Sequence, residues 1–432
     1  MTQAQARSAP SRPPVHKASA LRRFFAALGP GVITGAADDD PSGIATYSVA
    51  GAQLGTALLW TALLTWPLMA AVQMMCARIG MVTGEGLAGA LRKRFPKPLL
   101  VAAAVALLGA NTINIAADLA GMADAAQMLT GINSHVLVVV FGIAIAAAIV
   151  RLRYVQIASV LKWLALVLAA YAITAFLVHP HWSQVLRDAV VPSLPAGRTA
   201  WATLVAILGT TISPYLFFWQ ASQEVEEEKA KGRRMVVMHE GATHGEIVDR
   251  KLDVGIGTFF SNAVMFFIIL TTALTLHAHG LTRIETSRQA AQALRPLAGP
   301  LAATLYTIGI LGVGFLAIPT LAGSAAYAFA ETFHWRQGLD QKVARARGFY
   351  GMLLLSTAAG IALDFARINP IQALFWTAVI NGLLAPFLMV GILVVAADRK
   401  LMNGQPSSLL GRAAVALATA LMFLAAAGMF VF

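Results

Sequence analysis

Recurring apolar runs of membrane-spanning length constrain this chain more than any other feature. Windows near the roughly 20 residues that cross a hydrocarbon layer recur from Leu28 to the C-terminus. They fall at about 28–53, 56–79, 98–129, 133–151, 155–178, 199–221, 254–277, 299–331, 347–365, 370–396 and 408–431. Only 12% of the residues are charged and 58% are hydrophobic, whereas soluble domains carry about 25% charge. The predicted fold class is therefore an all-α polytopic membrane protein, with eleven spans embedded in a lipid bilayer.

Charge placement orients the spans. The formal net charge of +12 raises the possibility of a nucleic-acid partner, but the cations sit in the connections between apolar runs, the positive-inside pattern. With the N-terminal arm placed in the cytoplasm, the other side holds only Arg187, Arg198, Arg283, Arg288, Arg295 and Arg367, leaving 26 of the 32 Lys and Arg on the cytoplasmic side. No nucleic-acid partner is expected. The expected location is the inner (plasma) membrane, N-terminus cytoplasmic and C-terminus extracytoplasmic, with the protein a monomer. Residues 1–20 read as a polar, disordered arm without a cleavable signal peptide, and 21–432 as one transmembrane domain. Cys76, the single cysteine, reads as a packing residue.

Two of the spans are broken. "GAADDDPSGIATY", residues 35–47, places three aspartates, a proline and two glycines inside the first apolar run. Pro41 removes a helix amide and Gly35 and Gly43 weaken helix further. Irregular backbone at membrane depth survives only where it is buried in protein or lines a cavity, and an intramembrane carboxylate is costly enough to imply function. Five spans later "ILGTTISPYLFFWQ", residues 207–220, interrupts the sixth run with Gly209, Thr210, Thr211, Ser213 and Pro214. Matching breaks in spans one and six point to a transporter of two inverted five-helix repeats, about 28–178 and 199–396, with the eleventh helix at 408–431 appended and the binding site between the broken helices. Prolines also interrupt spans two, eight and ten, at Pro67, Pro319 and Pro386, so a lone proline is weak evidence of a break, and proline with small polar residues and an aspartate is much stronger.

The donors at the breaks are oxygens. Asp40 adjoins the proline and is the chosen ligand, because like charges in one dry pocket oppose joint ionisation. Asp38 and Asp39 either face a vestibule or hold a hydrated outer part of the ion shell. The remaining donors are carbonyls near Ala37 and Thr210 and the hydroxyls of Ser213 and Tyr215. No Met, His or Cys stands at either break. Hard cations suit such a set, and Mg²⁺, which sheds water reluctantly, suits it best. The ion is cargo; no resident cofactor is expected.

The ordered motifs resemble the Nramp family of divalent-metal transporters over about residues 28–402. "GPGVITGAADDDPSGIATYSVAGAQLG" resembles that family's first-helix segment with its Asp-Pro-Gly-Asn. "QMMCARIGMVTGEGLAGALRKRFPK", "NIAADLAGMADA", "GILGVGFLAIPTLAGSAAYAFAETFHW" and "LLAPFLMVGILVVAADRKLM" resemble its second, third, eighth and tenth helices. The resemblance implies a LeuT-like fold and a metal site between helices one and six. Asp40 matches the family's metal-binding aspartate. Gly43 replaces its asparagine, Ser213-Pro214-Tyr215 replaces Met-Pro-His, Gln220 stands for a second histidine, and Gly121 for an acidic residue. The soft ligand and several proton-relay groups are thus missing. This pattern is similar to the Nramp-related magnesium transporter branch, which implies Mg²⁺ and Mn²⁺ transport with weak or absent proton coupling.

Other residues are weighed against plainer roles. Asn111, Asn114 and Asp118 share one face of span three and read as a polar pathway from the site. Asp124 reads as exposed or capping. Asn381 lines the cavity or packs. Arg345 and Arg347 read as a basic anchor in preference to a salt-bridge gate with Asp118. The segment 222–253 reads as a solvated, flexible loop, its acidic run Glu224, Glu226, Glu227 and Glu228 as a solvated face, and His239 and His244 as loop residues in preference to metal sensors. Met69, Met74 and Met75 read as core or lipid contacts. Two alternatives remain: a proton-coupled Mn²⁺/Fe²⁺ importer, and an organic-solute symporter of the same fold. An enzyme is not expected, since no nucleophile–base pair, zinc signature or phosphate loop is visible.

Overall fold

The computed structural model describes residue 35 and residues 37–151, 166–230, 241–366 and 368–432. Among these residues the regular structure is entirely helical. The principal helices are α1 (Pro41–Leu54), α2 (Trp60–Thr83), α3 (Leu87–Arg92), α4 (Lys97–Thr130), α5 (Ser134–Arg151), α6 (Ala169–Leu177) and α7 (Trp182–Val190). There follow α8 (Arg198–Thr211), α9 (Pro214–Ala230), α10 (His244–Thr275), α11 (Ala302–Phe333), α12 (Arg347–Asp364), α13 (Pro370–Ala397) and α14 (Leu409–Val431). Eight helical stretches among the described residues are long and apolar enough to cross a membrane. α12 occupies the ninth expected span but is not among those eight. The first and fifth lie partly outside the described residues, as do the N-terminal arm, Lys231, Arg233, Arg234, His239 and Arg367.

The prolines divide as their neighbours suggest. Pro67, Pro319 and Pro386 sit inside continuous helices. Pro41 and Pro214 instead open α1 and α9, the position where a missing amide costs nothing.

The long helix α4 is central, packing on α5, α11, α12 and α13. The short helix α1 lies among α8, α10 and α13, and α8 lies against α13 and α14. A Cβ on Gly209 would run into Ala378 O, and one on Gly382 would run into Val205 O. The backbones of α8 and α13 therefore touch, the small-residue mode by which membrane helices approach closely. This contact presses the end of α8 into the interior beside α1.

One expectation is overturned among the described residues of 222–253: α9 runs on to Ala230, and α10 starts at His244 behind a reciprocal Thr243–Glu246 capping box. The acidic run is no solvated face, because Glu224 and Glu228 are buried. Arg250 Nε lies 2.8 Å from Glu224 Oε2, and the same guanidinium pairs with Asp253 Oδ2 at 2.5 Å and with Glu227. A buried carboxylate needs such a partner. Arg250 stands 23 residues beyond Glu227 in the chain, so reading the acidic run alone conceals it.

Candidate metal-binding site

The first break is built by Asp40. Ala37 and Asp38 are helical, the chain opens at Asp39 and Asp40, and α1 restarts at Pro41. Asp40 caps α1: its Oδ1 accepts from Gly43 N at 2.6 Å and from Ser42 Oγ at 2.8 Å. A carboxylate at a helix N-terminus is favoured by the free amides and by the helix dipole. The other oxygen, Oδ2, faces α4 and accepts from Asn114 Nδ2 at 3.1 Å.

At the second break, α8 ends at Thr211 and α9 begins at Pro214. Ser213 Oγ donates back into α8, lying 2.8 Å from Gly209 O and 2.7 Å from Thr210 O. It satisfies carbonyls that the interruption would leave bare, so this hydroxyl is engaged by its own helix.

The two breaks meet. Tyr215 Oη donates to Ala37 O at 2.9 Å, joining the start of α9 to the segment before α1. A Cβ on Gly43 would stand 3.1 Å from Thr210 Oγ1, 3.4 Å from Asp38 O and 3.4 Å from Asp40 Oδ1. A side chain at Gly43 would therefore crowd the space between the breaks. Asn114 Nδ2 also donates to Asp118 Oδ2 at 3.0 Å, and Asn114 Oδ1 accepts from Asn381 Nδ2 of α13 at 3.2 Å.

Asp38 and Asp39 are 0% and 4% exposed and face no open vestibule. Ser261 Oγ of α10 lies 2.5 Å from Asp38 Oδ2 and 3.3 Å from Asp39 Oδ1, one hydroxyl proton between two carboxylates. Ser42 and Ser261 are contacts that sequence reasoning missed. The signal for the second was present in Ser261-Asn262, a polar pair within an otherwise apolar stretch of α10. Asp38 Oδ1, Asp118 Oδ1 and Asn381 Oδ1 are buried without a hydrogen-bond partner among the described residues. No three His, Cys, Asp or Glu side chains among those residues converge at metal-ligand spacing. Near Asp40 lie the Thr210 hydroxyl and the Asp38 carbonyl.

Other candidates lie elsewhere. Asn111 donates to Leu321 O and Ser324 Oγ, each at 2.8 Å, tying α4 to α11. Gln220 Nε2 donates to Glu224 Oε1 at 2.6 Å, in the ion cluster between α9 and α10. Asp124 accepts from Ser287 N at 3.1 Å, at the start of the short helix Ser287–Ala291. Arg345 and Arg347 are exposed, and Asp118 is fully buried away from them. Met69 is buried, and its sulfur accepts from Asn262 Nδ2 at 3.4 Å.

A helical bundle in which two helices break side by side around buried carboxylates defines a transporter of the LeuT-like fold. Solved structures share this architecture. The manganese transporter of Eremococcus coleocola, in complex with an aromatic bis-isothiourea substituted compound, aligns with a TM-score of 0.75 at 18% identity, covering 96% of this chain and 87% of that one. Mhp1, a nucleobase-cation-symport-1 family transporter in a closed conformation, aligns with a TM-score of 0.57 at 13% identity over 94% of this chain and 89% of its own. MhsT in complex with L-phenylalanine aligns with a TM-score of 0.51 at 14% identity over 92% and 98%. The family model described as natural resistance-associated macrophage protein-like matches residues 31–432, running on through α14. The chain belongs to the Nramp family and is a multi-pass divalent-metal transporter.

Proposed function

We propose that this protein carries Mg²⁺ and Mn²⁺ by alternating access, with weak or absent proton coupling, as a member of the magnesium-transporting branch of its family. One observation carries the reading. Four carboxylates, Asp38, Asp39, Asp40 and Asp118, are buried around the two breaks, and none is ion-paired to Lys, Arg or His among the described residues. Unpaired buried anions are costly, and a divalent cation offsets that cost. Asp40 is the central ligand. The Thr210 hydroxyl, the Asp38 and Ala37 carbonyls and retained water complete an oxygen set, with Ser213 and Tyr215 shaping it. Gly43 leaves room for water, which Mg²⁺ holds tightly. No sulfur or imidazole at the breaks favours a transition metal.

For the ion to leave, the segment before α1 and the start of α9 must separate, so the Tyr215–Ala37 bond opens in each cycle. The chain functions as a monomer in the plasma membrane, N-terminus cytoplasmic and C-terminus extracytoplasmic, and moves the ion inward without a resident cofactor. A second reading, proton-coupled Mn²⁺ or Fe²⁺ import, draws on the continuous contact from Asp40 through Asn114 to Asp118, a polar route away from the site.

Calorimetric titration of the purified protein with Mg²⁺, Mn²⁺ and Cd²⁺, repeated on Asp40→Ala, tests the site. Magnesium binding in the wild type and its loss in the variant are expected; equal binding by both defeats the assignment. Proteoliposomes distinguish the two readings. Uptake inhibited by cadmium but not magnesium, with metal-driven acidification of the lumen, establishes the second.

A further inference from the structure

The turn between α11 and α12 forms a basic cleft that the transport site does not use. We propose that this cleft binds the phosphodiester headgroup of an anionic phospholipid at the membrane boundary. It is an open groove of about 270 Å³ lined by Trp335, Arg336, Arg345, Ala346, Arg347 and Gly348, three cations and no carboxylate. α11, part of a stretch long and apolar enough to cross a membrane, ends at Phe333, and α12 begins at Arg347, so the cleft opens at the end of a spanning helix. Basic pockets between spanning helices at this depth are suited to anionic headgroups.

The chemistry of the lining favours a phosphate oxyanion. A guanidinium offers a planar fork of donors that matches phosphate. All three arginines are exposed, and none is ion-paired to a carboxylate among the described residues. Internal electrostatics therefore do not account for their clustering.

The aromatic wall favours a lipid over a free anion. The Trp335 ring lies against Gly348, where a Cβ would stand 2.8 Å from its Cε3. It also stacks on Phe333, with centroids 5.6 Å apart and planes 24° apart. Lys97 Nζ sits 5.5 Å from the centre of the Phe333 ring, adding a cation beside the aromatic column. Tryptophan settles at the headgroup level of bilayers, and a fixed indole sets the depth of the cleft. Leu354 follows Arg347 by two helical turns on the same face, and Leu354 and Leu355 are both exposed on α12. Acyl chains of a lipid held by the arginines would run along that surface.

Native mass spectrometry of the full-length protein, released from mixed micelles of phosphatidylglycerol and phosphatidylcholine in equal amounts, tests the proposal. The wild type is expected to retain phosphatidylglycerol over phosphatidylcholine by about fivefold, equivalent to about 1 kcal/mol. In the triple variant Arg336→Gln, Arg345→Gln, Arg347→Gln the two lipids should be retained equally. Surface substitutions of this kind seldom affect folding; Arg345→Gln alone, expected to give a partial loss, covers the case in which the triple variant does not fold. Arg399→Gln with Lys400→Gln, on the turn after α13, should keep the preference. Equal retention by the wild type, an undiminished preference in the triple and single variants, or equal loss in the Arg399–Lys400 control overturns the proposal. Displacement of the lipid by excess inorganic phosphate also overturns it, identifying a free anion as the occupant.

Discussion

Asn114 joins two buried carboxylates through one amide: its Nδ2 lies 3.1 Å from Asp40 Oδ2 and 3.0 Å from Asp118 Oδ2. The same side chain is held from α13 by Asn381. Asp40 is thereby oriented from outside its own helix.

Asn114→Ala removes the donor to both carboxylates. A hydrogen bond to a charged group contributes about 1.5–3 kcal/mol, so magnesium binding is expected to weaken by about tenfold or more. Titration calorimetry on the variant checks this, and an affinity within twofold of wild type would show that Asn114 does not position Asp40.

Tyr215→Phe deletes the bond to Ala37 O that joins the two breaks across 178 residues of chain. A neutral hydrogen bond contributes about 1 kcal/mol, so the separated state should gain about fivefold in population. The alkylation rate of a cysteine placed at Thr210, in a background lacking the Cys76 thiol, reads this shift. An unchanged rate would mean that the hydroxyl does not hold the gate.

Ser213→Met brings a thioether to the break. The lost hydroxyl is spent on Gly209 O and Thr210 O, so the exchange leaves the set of oxygens nearest Asp40 in place. Soft sulfur favours cadmium over magnesium, and the ratio of cadmium to magnesium affinity is expected to rise by about tenfold, or 1.4 kcal/mol. Competition uptake into proteoliposomes measures it; a ratio equal to wild type would place Ser213 outside the binding site.

Arg250→Ala leaves Glu224, Glu227 and Asp253 without their shared cation. Removing one partner from a buried ion cluster costs about 3–5 kcal/mol. The melting temperature in detergent should fall clearly, and adding Glu224→Gln should restore part of it, because Glu224, like Asp253, is fully buried and costly to leave unpaired. A melting temperature that does not move would show that the cluster contributes nothing to stability.

Much of this was legible from local chemistry. A proline among glycines, hydroxyls and a carboxylate marks a broken helix because each weakens the backbone ladder in place, and Pro41 and Pro214 do open helices. A proline alone does not, as Pro67, Pro319 and Pro386 inside continuous helices demonstrate. The stripe on α4 was legible by helical spacing, yet its members part company: Asn114 and Asp118 turn to the site, while Asn111 ties α4 to α11. Spacing places side chains on a face; it does not say which neighbouring helix each one meets.

The sequence by itself determined most of the spanning helices, the two interruptions and the lack of sulfur or imidazole side chains at them, since hydropathy, backbone propensity and residue chemistry are properties of short segments. Only the tertiary structure decided that Tyr215 reaches Ala37, that Ser261 serves Asp38 and Asp39, and that Arg250 pairs with Glu224 and Glu227 of the acidic run. Those contacts join residues far apart in the chain, and helix packing selects them because a buried polar group must find its partner wherever the fold places one.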